Sequence, residues 1–372
     1  MRDSIISLDQ IALIPAATSN VNSRSEVNPF DENGKLPVFV APMTCILDVD
    51  NYDLFNSKTY AVLPVFSGSS YLLDALKLSK GWFAIPFDVF KRLADCTKKV
   101  DNGYFYICVD MADGHINLLY EYVTKFKRMY PNAKVMIGNI ANAQAYAECC
   151  KAGVDYVRVG IGSGNGCVTS VRTGFHNSIV NMLEEINQIR QDIDSKQCYP
   201  KDVVATKVIA DGGIDSIGKA IKCLALGADY VMMGRLFAQC DESRGKKFYA
   251  WCMDNLRSHL DDPYAKVSKE LEERLNICEK LPDDLNNQIL VKEYYGQASE
   301  KGQMDRFGYV KSVPEGVTMY LPCPYTYSEF VKEFEGYLRS AMSYNGSFTL
   351  SDFIGKVKYK EQSLSEFNSY NK

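Results

Sequence analysis

The residues best suited to chemistry in this 372-residue chain lie between Tyr156 and Gly174. An apolar run predicts a strand from Tyr156 to Val159, and a glycine-rich loop follows it. The loop glycines are Gly160, Gly162, Gly164 and Gly166. Cys167 ends the loop, and the hydroxyl of Thr169 comes two residues later. Because glycines let the backbone approach a ligand and the thiolate is the reactive form of cysteine, we interpret Cys167 as a nucleophile rather than an inert buried thiol.

A second candidate group is a carboxylate before two glycines, Asp211-Gly212-Gly213. In barrels of parallel strands, loops after the seventh and eighth strands often bind phosphate through backbone amides. Asp211 could accept hydrogen bonds from a ribose diol beside such a phosphate. The alternative readings are a helix-capping carboxylate and a plain tight turn, and we favour the ribose ligand.

Eight short apolar runs supply the elements that would position these residues. They run from Pro37 to Ala41, Tyr60 to Phe66, Trp82 to Pro86, Tyr104 to Asp110, Lys134 to Asn139, Tyr156 to Val159, Lys207 to Asp211 and Tyr230 to Met233. Amphipathic stretches separate most of them, for example Asn117 to Met129 and Asn142 to Ala152. Eight such units predict an α/β fold, a (β/α)8 TIM barrel. We prefer it to an open doubly wound sheet because glycine or polar residues follow nearly every run.

The remaining segments are expected to decorate one barrel domain that spans residues 1–372. Ile5 to Gly34 reads as an irregular N-terminal arm. A helical insertion is predicted after the eighth strand, at about residues 245–290, because Val267 to Leu281 is strongly amphipathic. A flap at about residues 296–316 precedes the C-terminal tail.

Composition excludes several classes of protein. With 46% apolar residues and a net charge of -4, the chain lacks the basic face of a nucleic-acid-binding protein. It shows neither a signal-peptide pattern nor an apolar run long enough to span a membrane. Its twelve cysteines are scattered, which predicts reduced thiols and a cytoplasmic protein. Three histidines make a histidine-rich metal site improbable.

Several ordered motifs together resemble one enzyme family. G-I-G-S-G-N-G-C-V-T, A-D-G-G-I, M-M-G, V-M-I-G-N-I and A-P-M resemble the purine nucleotide enzymes IMP dehydrogenase and GMP reductase. The match runs from Ser23 to Gly346, apart from one insertion. The resemblance implies a (β/α)8 barrel, usually a homotetramer with the cofactor near a subunit boundary. It also implies that Cys167 attacks C2 of a purine 5′-monophosphate, and that NADPH, or alternatively NAD or NADH, exchanges hydride with the adduct.

The resemblance assigns roles position by position. Thr169 and Glu315 match a pair that handles protons beside Cys167, although P-E-G around Glu315 is also a turn signature. The substrate-binding positions are Met43, Asn139, Asn165, Gly166, Asp211, Gly213, Gly234, Arg235, Tyr294 and Gln297. The cofactor-binding positions are Asp110, Ala112, Gly160 and Gly162. The carbonyls of Gly162, Gly164 and Cys167 match a loop that binds a monovalent cation such as potassium in the dehydrogenase.

Features of the chain favour the reductase over the dehydrogenase. Only Ser67 to Gly81 separates the second and third strands, so the regulatory module of the usual dehydrogenase is absent there. R-T-G after the cysteine and D-E-S after strand eight are nearer the reductase. Against this, Arg306-Phe307 keeps the arginine of the dehydrogenase arginine-tyrosine pair but loses the phenolic hydroxyl.

Three departures from the family pattern leave the nucleotide open. Asn165 replaces a phosphate-binding serine, Arg235 replaces a small residue, and Gln297 replaces a base-contacting methionine. A modified or deoxy purine nucleotide is therefore an alternative substrate. A barrel that binds nucleotide without turnover is a non-redox alternative, but a nucleophile with an acid/base pair argues against it.

Overall fold

A closed barrel of eight parallel strands forms the body of the protein. The structure, a computed structural model, describes residues 5–67, 81–96, 105–111, 113–164, 167–196, 198–251 and 288–370. The described strands are β1 (Ile11–Leu13), β2 (Val38–Val40), β3 (Tyr60–Leu63), β4 (Trp82–Ile85), β5 (Tyr106–Asp110), β6 (Lys134–Ile140), β7 (Tyr156–Val159), β8 (Lys207–Asp211), β9 (Tyr230–Met233), β10 (Lys247–Trp251), β11 (Gln288–Tyr295), β12 (Thr318–Pro322) and β13 (Tyr359–Glu361). Strands β2 to β9 pair in sequence order and β9 returns to β2, which confirms the barrel and rules out the open sheet.

Helices cover the outside of the barrel. Those described are α1 (Tyr52–Phe55), α2 (Phe87–Asp95), α3 (Asn117–Met129), α4 (Ala143–Ala152), α5 (Thr169–Thr173), α6 (Ile179–Ser195), α7 (Ile217–Ala225), α8 (Arg235–Ala238), α9 (Glu300–Phe307), α10 (Tyr327–Asn345), α11 (Leu350–Phe353) and α12 (Leu364–Tyr370). The α3 helix buries Leu119, Val123 and Phe126, spaced as one helical stripe. None of the helices within the described residues is long and apolar enough to cross a membrane.

Aromatic side chains fill the barrel near the amino ends of its strands. Phe39 stacks on Tyr60, and Trp82, Tyr156 and Tyr230 pack edge-on around them. The hydroxyl groups of Tyr60 and Tyr230 both donate to the Asp31 carboxylate. Because this layer fills that end, the open carboxyl ends of the strands are left for a site, as in other barrels.

The N-terminal arm is more ordered than its sequence suggests. Ile11–Leu13 forms an antiparallel pair with Tyr359–Glu361, and Ile11 is fully buried. The Gln362 side chain adds hydrogen bonds to the carbonyls of Asp9 and Ile11. The prediction of an irregular arm is therefore wrong for this segment. Its pairing partner lies at the opposite end of the chain, where a local pattern gives no sign of it.

The expected insertion begins and ends in strands. Strands β10, β11 and β12 form a three-stranded antiparallel sheet, so residues 247–251 and 288–290 are not helical. Residues 252–287, which include the predicted Val267 to Leu281 helix, lie outside the described residues. The buried Lys292 ammonium donates to the carbonyls of Cys240 (2.9 Å) and Asp241 (2.7 Å). Burial lowers the pKa of Lys292 to about 8. These bonds fix β11, which carries Tyr294 toward the barrel mouth.

Candidate active site

One pocket at the carboxyl ends of the strands collects most of the predicted site residues. Those that line it are Cys167, Thr169, Glu315, Met43, Asn139, Asp211, Gly213, Gly234, Arg235, Tyr294, Gln297, Asp110, Gly160, Gly162 and Gly164. The predicted positions Asn165, Gly166 and Ala112 lie outside the described residues. Residues from β2, β5, β6, β7, β8 and β9 or shortly after them converge here because parallel strands of a barrel end on the same rim.

The thiol, a hydroxyl and a carboxylate form a hydrogen-bonded row in this pocket. The Cys167 thiol donates to Thr169 Oγ1 at 3.2 Å, and the Thr169 hydroxyl donates to Glu315 Oε2 at 2.6 Å. Glu315 is 146 residues from Thr169 in the chain. The row joins a nucleophile to a carboxylate through a hydroxyl that can both donate and accept, so it can move a proton without a histidine.

Backbone pairing holds Glu315 beside the cysteine loop. The Glu315 amide donates to the Ala298 carbonyl at 3.0 Å, and the Val168 amide donates to the Glu315 carbonyl at 2.9 Å. Cys167 also forms an isolated antiparallel bridge with Gly316. Glu315 is thus half-buried and anchored on both sides, unlike the exposed turn residue that P-E-G alone would also allow.

Two glycines let the loops after β7 and β8 touch. Gly160 has φ +131°, and a Cβ there would lie 2.2 Å from the Asp211 carbonyl oxygen. Gly213 has φ +71°, and a Cβ there would lie 2.8 Å from the Ser163 carbonyl oxygen. Both the conformation and the contact exclude a side chain. The cysteine loop therefore packs directly against the loop that carries Asp211.

Asp211 is held from two sides. Its Oδ2 accepts hydrogen bonds from Asn139 Nδ2 and Arg158 Nε, both at 2.9 Å. Asn139 Nδ2 also donates to the Gly160 carbonyl at 2.8 Å. Asn139 therefore orients Asp211 and the cysteine loop through its amide nitrogen. Among the described residues, both hydrogen bonds to the Asp211 carboxylate use Oδ2, which leaves Oδ1 for a ligand.

A chain of alternating charges, Asp211–Arg158–Asp110–Arg306, crosses the pocket wall. Arg158 reaches Asp110 Oδ1 at 2.7 Å, and Arg306 reaches Asp110 Oδ2 at 3.1 Å. All four side chains are between 10% and 13% exposed. Burial acts to raise the pKa of Asp110, but the Arg306 and Arg158 charges outweigh it and the pKa is lowered. Asp110 therefore stays ionised at neutral pH.

Sequence reasoning missed Arg158, although a signal was present. An arginine in the apolar run Y-V-R-V would be expensive to bury unless carboxylates paired with it. Burial acts to lower the pKa of Arg158, and Asp211 and Asp110 raise it well above its usual range. In the sequence, Arg306 is notable only in the comparison with the dehydrogenase. Arg306 lies in α9, which begins after the N-cap residue Ser299, and it lines the pocket.

Three buried polar atoms in the pocket wall have no hydrogen-bond partner among the described residues. They are Ser163 Oγ, Gln297 Oε1 and Arg306 Nε. Buried polar atoms in folded proteins are normally hydrogen-bonded, so unpaired ones that line a cavity indicate where a polar ligand would bind. The wall offers a hydroxyl, an acceptor and a cationic donor.

Arg235 begins α8 directly after Gly234 and lines the same pocket. A Cβ on Gly234 would lie 2.8 Å from Met43 Sδ and 3.4 Å from the Tyr294 hydroxyl. Burial raises the pKa of Tyr294, so its phenol is neutral at physiological pH. Within the described part of the chain, no carboxylate forms an ion pair with Arg235. Its guanidinium is therefore available to an anion.

Comparisons with known proteins agree with this geometry. Residues 87–255 match the family model described as the IMP dehydrogenase / GMP reductase domain. A GMP reductase of Clostridium acetobutylicum is 29% identical, with 98% of each chain covered. A GMP reductase of Helicobacter pylori is 26% identical, again with 98% of each covered. An inosine-5′-monophosphate dehydrogenase of Chlorobaculum parvum is 30% identical over 70% of this chain and 46% of its own.

The family match covers β5 to β10 and includes Cys167, Asp211 and Gly234. The GMP reductase relatives extend the similarity to both ends of the chain. With a closed eight-stranded barrel and the cysteine loop at its mouth, this chain is similar in sequence and architecture to the IMP dehydrogenase / GMP reductase family.

Proposed function

We propose that this protein is a purine nucleotide oxidoreductase of the GMP reductase type, which converts GMP to IMP and ammonia with NADPH. The row from Cys167 through Thr169 to Glu315, placed beside Asp211, is the observation that carries the proposal. It supplies a nucleophile, a proton path and a sugar ligand in one pocket. The relatives named GMP reductase, similar along nearly their whole length, support this reaction.

The proposed reaction begins with attack by the Cys167 thiolate. Cys167 Sγ attacks C2 of the guanine, the C2–N bond breaks, and the amino group departs as ammonia. When bound, a reduced nicotinamide supplies the hydride that C2 gains. The C2–S bond then breaks, and its electron pair returns to sulfur. Overall, GMP, NADPH and two protons become IMP, NADP⁺ and ammonium, so C2 is reduced by two electrons.

Thr169 and Glu315 would handle the protons of this sequence. The thiol proton moves to Thr169 Oγ1 as the Thr169 proton moves to Glu315, which leaves sulfur as the nucleophile. Glu315 then returns the proton through the same hydroxyl to the departing amino group. Both steps use the hydrogen bonds of 3.2 Å and 2.6 Å and need no movement of the backbone.

The remaining pocket residues would hold the nucleotide. Asp211 Oδ1 accepts from the ribose diol, while Asn139 and Arg158 keep the carboxylate oriented through Oδ2. Gly213 offers its backbone to the phosphate, and Arg235 supplies paired donors and a permanent positive charge. Met43 and Tyr294 pack beside Gly234 and close the wall next to the base.

The cofactor would bind in the same pocket as the nucleotide. Asp110, Gly160 and Gly162 line this pocket with Cys167, and the lining residue Arg306 has a buried Nε without a partner among the described residues. A carboxylate and an unpaired donor suit the hydroxyls and carbonyl of a nicotinamide riboside. Asp110 would share its Oδ2 between Arg306 and the ribose.

Two further parts of the proposal rest on the family resemblance. A homotetramer is expected, and light scattering would measure it. A potassium ion would bind the carbonyls of Gly162, Gly164 and Cys167. The Gly162 carbonyl already accepts a hydrogen bond from Ser170 Oγ (2.8 Å), and the Gly164 carbonyl accepts one from the Cys167 amide (2.9 Å). Two of the three carbonyls are therefore hydrogen-bonded within the loop.

Oxidation of IMP with NAD is the second candidate, and Arg306 favours it. The guanidinium lies in the pocket, 12% exposed, where an arginine could activate water. Incubation of the purified protein with GMP and NADPH, or with IMP and NAD, separates the two. Loss of reduced-cofactor absorbance with GMP supports the reductase, and its gain with IMP supports the dehydrogenase. No change with either, while nucleotide still binds, would leave a binding protein and overturn the proposal.

A further inference from the structure

Gln297 lines the pocket and has a side-chain amide in a fixed orientation. Its Nε2 donates to the Pro42 carbonyl oxygen, and its Oε1 is buried without a partner among the described residues. The orientation of the amide is settled by chemistry, because a proline carbonyl can only accept a hydrogen bond. The nitrogen must therefore face Pro42, and the oxygen is left for a ligand.

The backbone around Gln297 is tightly held, so the acceptor does not turn away easily. Gly302 in α9 packs so closely that a Cβ there would lie 2.8 Å from the Gln297 carbonyl oxygen. Ser299 donates to the Gly296 carbonyl at 2.6 Å and accepts from the Gly302 amide at 3.0 Å. Gln297 and Cys167 line the same pocket, so Gln297 borders the space that a substrate of the cysteine would fill.

The chemistry of the acceptor restricts what faces it. A phosphate at neutral pH carries acceptor oxygens and would repel Gln297 Oε1. The Asp211 carboxylate already provides an acceptor for the ribose diol. In a 6-oxopurine, N3, N7 and O6 accept, whereas ring N1–H and the 2-amino group of guanine donate. A carboxamide acceptor in this wall thus matches the donor edge of such a base.

We propose that Gln297 is a specificity-determining residue that accepts a hydrogen bond from an N–H group of the purine. This inference rests on the proposed function, because it takes a purine nucleotide as the ligand of the pocket. Leaving Oε1 buried and unpaired is costly, so a base without an N–H there binds more weakly. The residue selects bases by a polar contact that a thioether side chain could not make.

Calorimetric titration of wild-type protein, Gln297→Met and Gln297→Glu with GMP, IMP and ribose 5-phosphate tests the proposal. Gln297→Met should raise the dissociation constant for GMP about threefold to tenfold, the scale of one neutral hydrogen bond. The dissociation constant for ribose 5-phosphate should not change. The affinity of Gln297→Met for IMP should fall equally if ring N1–H is the donor. It should remain unchanged if the 2-amino group is the donor. Gln297→Glu loses the donor to the Pro42 carbonyl but keeps an acceptor oxygen for the base, so it should bind GMP more tightly than Gln297→Met does.

Three results would overturn the inference. These are unchanged GMP binding by Gln297→Met, an equal loss for ribose 5-phosphate, and a loss in Gln297→Glu as large as in Gln297→Met. The second would place the glutamine against the sugar, and the third would mean that the Pro42 contact alone matters. If the wild-type protein binds neither nucleotide, the proposed function itself fails.

Discussion

Thr169 is the link between sulfur and carboxylate in the proposed proton path. Thr169→Val removes the hydroxyl and keeps the shape, so it should lower kcat by about 10²–10⁴-fold, the usual contribution of general acid–base catalysis. Thr169→Ser keeps the hydroxyl and should retain most of the activity. Steady-state kinetics and a nucleotide titration measure both. A Thr169→Val protein with near wild-type kcat would show that the proton does not pass through this hydroxyl.

Arg235 tests the placement of the phosphate. Losing a charge-assisted hydrogen bond costs about 1.5–3 kcal/mol, so Arg235→Ser should raise the dissociation constant for a 5′-monophosphate about 10- to 150-fold. The affinity for the bare nucleoside should hardly change. Arg235→Lys keeps the charge without the paired donors, so its dissociation constant should lie between those of wild type and Arg235→Ser. Equal losses for nucleotide and nucleoside, or none for either, would place the phosphate elsewhere.

At the scale of elements, the charge chain ties α9 to β5, β7 and β8. The pKa of Asp110 in the folded protein is lowered from its ordinary value of 3.8, so the ionised carboxylate stabilises the fold above pH 3.8. This stabilisation is lost as the pH falls through the pKa of the folded state. Arg306→Gln should raise the pKa of Asp110, move this loss to higher pH and cost about 1–3 kcal/mol at neutral pH.

Denaturant unfolding across the acid range measures both effects of Arg306→Gln. Arg92→Gln is the matched control, because Arg92 pairs with Asp88 on the surface with side chains 74% and 65% exposed. That change should alter stability by less than about 0.5 kcal/mol. The same acid profile for Arg306→Gln as for wild type would mean that Arg306 does not control the ionisation of Asp110.

The sequence predicted the elements that repeat locally and missed those that depend on distant partners. Each barrel strand is a buried apolar run and α3 has one apolar stripe, so their existence could be derived, and the Asn117 to Met129 prediction is confirmed at both ends. Strands β1 and β10 have no such signature, because their stability comes from partners far along the chain. Arg158 was missed for the same reason: its carboxylates lie on other strands.

At the scale of the whole molecule, strands β1 and β13 join segments from the two ends of the chain, and we call this pairing the clasp. Removing residues 357–372 deletes β13 and exposes Ile11, whose burial is worth about 1.5–3 kcal/mol. The free energy of unfolding should fall by at least that amount, while kcat stays near wild type because the pocket is untouched. A shorter deletion of residues 364–372 keeps β13 and is the control. Equal stability of both deletions would show that the clasp contributes nothing.

The proposed reaction requires a covalent bond between Cys167 and C2 of the purine. Mass spectrometry of the protein, quenched with acid during turnover of GMP and NADPH, tests it most directly. We expect the peptide that contains Cys167 to gain the mass of GMP less ammonia, and we expect no such gain in Cys167→Ser. Turnover without any adduct, or an adduct on another cysteine such as the half-buried Cys323, would contradict it.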